Sequence, residues 1–325
     1  MNAASDPGFV GDVPPRRRSA QPAPLRVWLR ALALVMLLWI AASALFVYWR
    51  TPMPTTVDSG SFAERLSALD SQVSRIEAQG QRPVTMILLG SSRMRNVALD
   101  STAMAAAARR AGVTLPLAST VIGVNWGGFE RLAPIVPMIE RRHPDVLVVM
   151  PDLLLEDFTP RIRLQMGVRW LQSLLWGKPY VPFAASDATL LVCSGFGGSA
   201  AQRDAENGGF VAPAPKGTGP RQARAFVERM ANEGTLVYLA DVPVSPELAA
   251  LRSPLPQNDS LLTTLGLQGT RVGTVSFPNG IGRAAHCDYA HIDPAKADAW
   301  REPFFRQIAP KLNGLARRSG GDPRH

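Results

Sequence analysis

Residues 84–92 read VTMILLGSS, a short apolar run that ends in a glycine and two serines. Such a run is typical of a buried strand in a parallel sheet that leads into a tight turn. Residues 145–150 (DVLVVM) have the same character, and residues 117–124 and 235–240 (TLVYLA) are two further candidates. The sequence therefore predicts buried parallel strands at four places along the chain.

Helical patterns alternate with these strands. Apolar residues at helical spacing indicate an amphipathic helix over residues 62–77. The other helical patterns cover residues 98–111, 129–142, 222–232 and 297–312, and Pro303 could break the last of them. This alternation predicts an α/β fold, a doubly wound parallel sheet with helices on both faces.

An irregular segment interrupts the alternation over about residues 158–221. It contains Gly/Pro-rich stretches and an apolar helical piece, residues 164–176. Loops longer than ~15 residues without regular structure are usually functional lids or disordered. Two interpretations remain open: an insertion over the edge of the active site, or a peripheral helix and loop that only packs.

The N-terminal region has the features of a membrane anchor. Residues 31–49 carry no charge, and a helix of ~20 apolar residues spans a hydrocarbon core of ~30 Å. Only Arg50 follows this stretch closely, whereas five arginines precede it: Arg16, Arg17, Arg18, Arg26 and Arg30. This asymmetry predicts a single-pass protein of the inner (cytoplasmic) membrane, with its N-terminus in the cytoplasm and its main domain periplasmic or extracytoplasmic. The alternative is a signal peptide cleaved near Ala42-Ser43-Ala44, although the apolar run continues past that site.

These features divide the chain into five parts. We expect a disordered cytoplasmic tail (1–26), a transmembrane anchor (27–50), a linker with an amphipathic helix (51–83), the main domain (84–315) and a disordered tail (316–325). The net charge is +9, but residues 1–50 carry +4 of it and the tail after residue 315 carries +2. No concentrated basic stripe with interleaved aromatic residues remains, so nucleic-acid binding is not expected.

Two cysteines, Cys193 and Cys287, lie in the part predicted to be exported, where a disulfide can persist. The sequence leaves open whether they form a disulfide or are two buried free thiols. Two cysteines lack the ligand count and spacing of a structural zinc site, and His286 does not supply the rest. No metal or organic cofactor is predicted.

Candidate catalytic residues lie where ligands bind in open α/β sheets, just after the strands. Ser91 and Ser92 follow the first strand, where a hydroxyl is exposed and helix amides stabilise negative charge; a serine that only caps the helix is the alternative. Near the other end, Asp288 lies three residues before His291. On one helical turn, this carboxylate accepts from the imidazole Nδ1 and leaves Nε2 free as a base. A surface histidine paired with an acid explains the spacing equally well, and His143 and His325 are expected to be solvated.

Taken together, these segments resemble the SGNH, or GDSL-like, hydrolase family over about residues 84–312. The resemblance rests on Gly90-Ser91-Ser92, the turn Gly123-Val124-Asn125-Trp126-Gly127-Gly128, the turn after residues 145–150, and D-x-x-H before the last helix. It implies that Ser92 is the nucleophile, with Asp288 and His291 as its partners. It also implies an oxyanion hole with amides of Ser92 and of Gly123 or Gly127, and Asn125 is a further candidate donor.

The chain departs from the family pattern at two positions. Ser91 stands where the first block usually has an aspartate, and Pro151-Asp152 stands where the third block has an asparagine. An ionised Asp152 would repel an oxyanion. Three possibilities follow: Asp152 is protonated, it points away, or Asn125 substitutes for the missing amide.

Residues 234–245 (GTLVYLADVPVS) resemble membrane-anchored relatives that are periplasmic partners of membrane-bound O-acyltransferases. The resemblance implies a cell-envelope serine acyl-transfer enzyme, an O-acetyltransferase or esterase acting on a surface exopolysaccharide. A membrane-bound O-acyltransferase or a polysaccharide synthase would be its partner. The alternative is a catalytically silent accessory protein of such a complex. A glycosidase is disfavoured because its two candidate carboxylates, Glu156 and Asp157, are adjacent in sequence and have no reason to face each other.

Overall fold

The computed structural model describes residues 25–50, 59–124, 129–155, 217–250 and 259–319, together with 167–168, 170–173, 175–176, 193 and 195–196. The chain divides into two compact units, residues 1–50 and 51–325. In the first unit, helix α1 (Leu25–Arg50) contains one apolar stretch, Leu25–Phe46, with a mean hydropathy of 2.2. By length and composition this helix could be a single membrane span or a signal sequence.

The second unit is built on a five-stranded, all-parallel sheet. Its strands are β1 (Val84–Gly90), β2 (Leu117–Gly123), β3 (Val146–Val149), β4 (Leu236–Ala240) and β5 (Val272–Val275), in the order β2-β1-β3-β4-β5. This is one of the two common orders of doubly wound sheets. The prediction of an α/β fold with a parallel sheet is therefore confirmed.

The helices of the second unit follow the same chain order. They are α2 (Ser59–Glu77), α3 (Ser92–Ala98), α4 (Ser101–Arg110), α5 (Val136–Glu140), α6 (Asp152–Leu155), α7 (Thr218–Asn232), α8 (Pro246–Ala250), α9 (Asp259–Leu265) and α10 (Asp298–Ser319). Residues 167–168, 170–173 and 175–176 are also helical.

Two hydrophobic cores lie on opposite faces of the sheet, because successive residues of a strand point to opposite faces. In β1, Ile87 and Leu89 join a core that contains residues of α2, α6, α7 and α9. Met86 and Leu88 join the other core, with residues of α3, α4 and α10. The buried Phe62, Leu66 and Leu69 place one face of α2 in the first of these cores.

Several helix boundaries differ from the sequence prediction. The helix predicted over residues 98–111 begins only at Ser101, because Asp100 caps it by accepting from the N–H groups of Thr102 and Ala103. The helix predicted over residues 129–142 is wrong: the chain forms two 3₁₀ turns, Phe129–Arg131 and Ala133–Ile135, before the short α5. Prolines at the starts of two of these pieces remove amide donors that a continuous helix would need.

The C-terminal helix is not broken at Pro303. Helix α10 is continuous, with Pro303 and Pro310 inside it. Its buried apolar face, which includes Trp300, Phe304 and Ile308, lies in the core. We attribute the tolerance of the two prolines to this packing, because burial of large apolar side chains offsets the missing hydrogen bonds.

Candidate active site

Ser92 lies at the point where β1 turns into α3. Ser91, directly before it, is the N-cap of the helix: its hydroxyl accepts from the N–H of Arg93 at 3.3 Å. Gly90 makes the turn possible, since a Cβ at this position would lie 2.6 Å from both Met150 Sδ and Met94 Cβ. The capping role therefore belongs to Ser91, and the hydroxyl of Ser92 makes a different contact.

That contact joins the three residues predicted to act together. Ser92 Oγ lies 2.8 Å from His291 Nε2, and His291 Nδ1 lies 2.9 Å from both carboxylate oxygens of Asp288. Because an ionised carboxylate only accepts hydrogen bonds, it places the proton of a neutral imidazole on Nδ1. His291 Nε2 then accepts from the Ser92 hydroxyl, which is the geometry of a general base acting on a nucleophile.

A tight loop, rather than the expected helical turn, holds Asp288 and His291. An antiparallel bridge between His286 and Ile292 closes the loop, and the N–H of Cys287 donates to the carbonyl of His291 at 3.0 Å. Asp288 Oδ1 also accepts from the backbone N–H of His291 at 2.7 Å. The carboxylate thus orients the histidine through both its backbone and its ring. The side chains of Asp288 and His291 are only 4% and 13% exposed.

A disulfide between Cys193 and Cys287 fastens this loop to a segment 94 residues earlier in the chain. A second attachment lies nearby: the ring of Phe196 makes an edge contact with Tyr289, at a centroid distance of 5.1 Å. The guanidinium of Arg283 lies 4.6 Å from the centroid of the Phe196 ring. Residues on both sides of Asp288 are therefore tied to Cys193 and Phe196.

The loop after β4 supports the same site from another side. The N–H of Ser245 donates to the carbonyl of Tyr289 at 2.9 Å, and the ring of His286 contacts the Pro243 carbonyl. Glu247, at the start of α8, pairs with Arg283 at 2.6 Å. A hydrogen bond from its own backbone N–H, together with the nearby Arg283, lowers the pKa of the Glu247 carboxyl below its ordinary value.

Asp152 points toward Arg93, the residue next to Ser92. Arg93 Nη2 lies 3.2 Å from Asp152 Oδ2, and the two side chains are 11% and 9% exposed. The other carboxylate oxygen, Oδ1, accepts from the N–H of Leu153 at 3.0 Å. The Asp152 carboxylate is therefore paired with the cation beside Ser92, and the three possibilities raised by the sequence stay predictions.

The oxyanion-hole candidates are only partly described. Gly123 ends β2 beside Gly90 in the parallel register, and a Cβ there would lie 3.1 Å from the carbonyl oxygen of Ser91. The backbone of β2 therefore passes close to the turn that carries Ser92. Asn125 and Gly127 lie outside the described residues, as do Glu156, Asp157 and His325. His143 is exposed, and its ring lies 3.7 Å from Glu233.

The sequence did not reveal two features of this site. One is the attachment of Phe196 to Tyr289, and the other is the ionic contact of Arg93 with Asp152 and Asp241. The sequence held one signal for the ionic contact, because Arg93 is a charged residue directly after the candidate nucleophile. Among the residues that the structure describes, no group of three His, Cys, Asp or Glu could hold a metal ion. Comparison with models of protein families, with curated proteins and with solved structures finds no match.

Proposed function

We propose that this chain is an SGNH-type serine acyl-transfer enzyme of the cell envelope, an O-acetyltransferase or esterase acting on a surface exopolysaccharide. The observation that carries the proposal is the continuous contact from Ser92 Oγ to His291 Nε2 and from His291 Nδ1 to Asp288. The position of Ser92 supports the proposal, because it begins α3 two residues after β1 ends, at the edge of an open parallel sheet where ligands bind. The exopolysaccharide rests on the sequence resemblance alone.

The side chains of Ser92, His291 and Asp288 carry the covalent step and the proton transfers. Ser92 Oγ attacks the ester carbonyl while its proton moves to His291 Nε2, and Asp288 stabilises the resulting imidazolium. Collapse of the tetrahedral intermediate expels the alcohol, which takes that proton and leaves the acyl group on Ser92. Water or a sugar hydroxyl then gives its proton to Nε2 and attacks the acyl-enzyme. The second intermediate releases the product and returns the proton to Ser92.

Transfer to a sugar hydroxyl is favoured over plain hydrolysis by the residue at position 152. Its carboxylate cannot donate to an oxyanion, and loss of one such donor costs roughly a hundred- to a thousandfold in rate. An enzyme held beside a membrane partner offsets part of this loss by orientation, since well-placed groups reach effective molarities of ~10⁵ M or more. A membrane-bound O-acyltransferase or polysaccharide synthase is the partner we propose.

Membrane attachment through α1 completes the proposal. The arginine asymmetry around this helix favours an uncleaved anchor with the N-terminus in the cytoplasm and the domain outside. A C-terminal alkaline phosphatase fusion should then be active and a C-terminal green fluorescent protein fusion dark. An inactive phosphatase together with a fluorescent reporter would contradict this orientation.

A catalytically silent accessory protein is the second candidate, and Asp152 is the observation that favours it. The two candidates differ in turnover. We would measure p-nitrophenyl acetate cleavage by the full-length chain in detergent, with and without an oligosaccharide acceptor. If the chain is an enzyme that transfers acetyl groups, the acceptor should accelerate ester cleavage and acetylated oligosaccharide should form. Ser92→Ala should lose the cleavage and the product, and Ser91→Ala should keep them.

A deletion strain provides the matching test in cells. The proposal predicts fewer acetyl esters on the surface polysaccharide when the gene is deleted, and restoration by the wild-type chain but not by Ser92→Ala. Fast hydrolysis that ignores the acceptor, with more acetylation in the deletion strain, would identify a deacetylase instead. The accessory role would be established by three results together. Neither the wild type nor the variants would cleave the ester, the deletion strain would lose acetyl esters, and Ser92→Ala would restore them as well as the wild type does.

A further inference from the structure

One ionic cluster at the carboxyl edge of the sheet takes no part in the proton transfers of the proposed mechanism. Arg93 Nη2 contacts Asp152 at 3.2 Å, while Nη1 contacts Asp241 at 3.2 Å and donates to the carbonyl of Val242 at 2.8 Å. Arg93 follows β1, Asp152 follows β3, and Asp241 follows β4. A single guanidinium therefore joins the ends of three neighbouring strands beside Ser92.

Stability alone does not account for this arrangement. The Arg93 and Asp152 side chains are 11% and 9% exposed, so both charges have lost most of their hydration. Replacing a buried ion pair by apolar residues of similar size is often neutral or stabilising, whereas removing one partner is strongly destabilising. The cluster is thus a costly way to hold a sheet edge together, which suggests a role tied to its charge.

The charge matters because of what develops beside Ser92. Strands β1 and β3 are paired, and neighbouring strands lie ~4.8 Å apart, so Asp152 shares the edge of the sheet with the nucleophile. Acyl transfer at Ser92 creates a negative oxygen at this edge. A carboxylate without a cation there would repel that oxygen. The Arg93 guanidinium neutralises Asp152 and fixes the direction in which its carboxylate points.

We propose that Arg93 is a positioning residue, which holds the Asp152 carboxylate in its ion pair and cancels its charge so that the oxyanion can form beside Ser92. This inference rests on the proposed function. Asp241 has a smaller effect on the site because its side chain is 30% exposed and solvent screens its charge. Arg93 itself makes no contact with the substrate in this account.

The test measures the rate at which a fluorophosphonate probe labels the full-length chain in detergent. Arg93→Gln leaves Asp152 without its cation, and we expect labelling to slow at least tenfold. Adding Asp152→Asn removes the charge that Arg93 restrains, and the double variant should label within threefold of the wild type. Asp152→Asn alone should label at least as fast as the wild type. This second-site rescue is the result that a merely structural role would not produce.

Arg82→Gln is the matched control. Arg82 also pairs with an aspartate, Asp145, but that pair lies before β3, at the opposite edge of the sheet. Labelling of this variant should equal that of the wild type. If Arg93→Gln does not fold, Arg93→Lys is the variant to measure, because it keeps the positive charge. It should slow labelling less than threefold.

The outcomes separate the inference from the function on which it rests. Suppose that the wild type is labelled. If the double variant is then as slow as Arg93→Gln, or if Asp152→Asn fails to label, the role of Arg93 is overturned and the proposed function stays intact. A wild type that never labels would overturn the proposed function, and the inference with it.

Discussion

The disulfide between Cys193 and Cys287 should stabilise both the fold and the loop that carries Asp288. The bridge closes a loop with a sequence separation of 94 residues. The chain-entropy relation for a loop of this length gives about 4.7 kcal/mol, which we treat as an upper value because measured bridges often deliver less. At about 2–4 °C per kcal/mol for a domain of this size, Cys193→Ser/Cys287→Ser should lower Tm by roughly 10 °C.

The assay is thermal unfolding of the full-length chain in detergent, followed by circular dichroism. The wild type in reductant should show the same fall in Tm, whereas the double variant should not respond to reductant. Cys287 directly precedes Asp288, so fluorophosphonate labelling should also slow when the bridge is absent. A double variant whose Tm stays within about 3 °C of the oxidised wild type would refute the argument that the bridge constrains the unfolded chain.

Three further predictions concern the site and its supports. His291→Ala and Ser92→Ala should each abolish most ester turnover, and the double variant should be no worse than either, because residues that act as a unit are strongly non-additive. If the fold losses of the two single variants multiplied in the double variant, the two residues would not act as one unit. Gly90→Ala should destabilise the fold by about 1–3 kcal/mol and slow labelling, since its Cβ would overlap two methionine side chains, whereas Gly314→Ala, with open space around it, should be neutral or stabilising in urea unfolding. Burial raises the pKa of Tyr238 to about 12. The unfolded chain loses this proton near pH 10 and the folded one does not, so the free energy of unfolding should fall by up to about 1.4 kcal/mol per pH unit between pH 10 and 12, and Tyr238→Phe should remove that part of the fall.

The strands of the sheet were predictable because they are buried on both faces. Residues 84–90, 146–149 and 236–240 are nearly continuous apolar runs, residues 117–123 are mostly apolar around Ser119 and Thr120, and the structure places a strand at each of the four. Strand β5 was not predicted, because VGTV holds only two buried residues and lacks a continuous apolar run. Gly273 in this strand also lowers its strand propensity, and the ring of Tyr238 occupies the space that a side chain there would need.

The motifs and their order along the chain pointed to Ser92, Asp288 and His291, whose side chains lie within hydrogen-bonding distance of one another. Their catalytic role stays a prediction, and the residues that support them were not foreseen. The local structure of Asp288 and His291 was predicted wrongly, since this D-x-x-H segment forms a loop closed by a β-bridge rather than a helical turn. The disulfide and the Arg93 cluster join residues far apart in sequence, and no local pattern specifies such pairs.

Identification of the labelled residue tests the central claim most directly. The full-length chain would be treated with a fluorophosphonate, digested, and analysed by tandem mass spectrometry of the peptides. Our account predicts one phosphonylated serine, Ser92, with the adduct lost in His291→Ala and retained in Ser91→Ala. An adduct on any other serine, or an unmodified Ser92 in a folded wild-type chain, would contradict the assignment of Ser92, His291 and Asp288 as one catalytic unit.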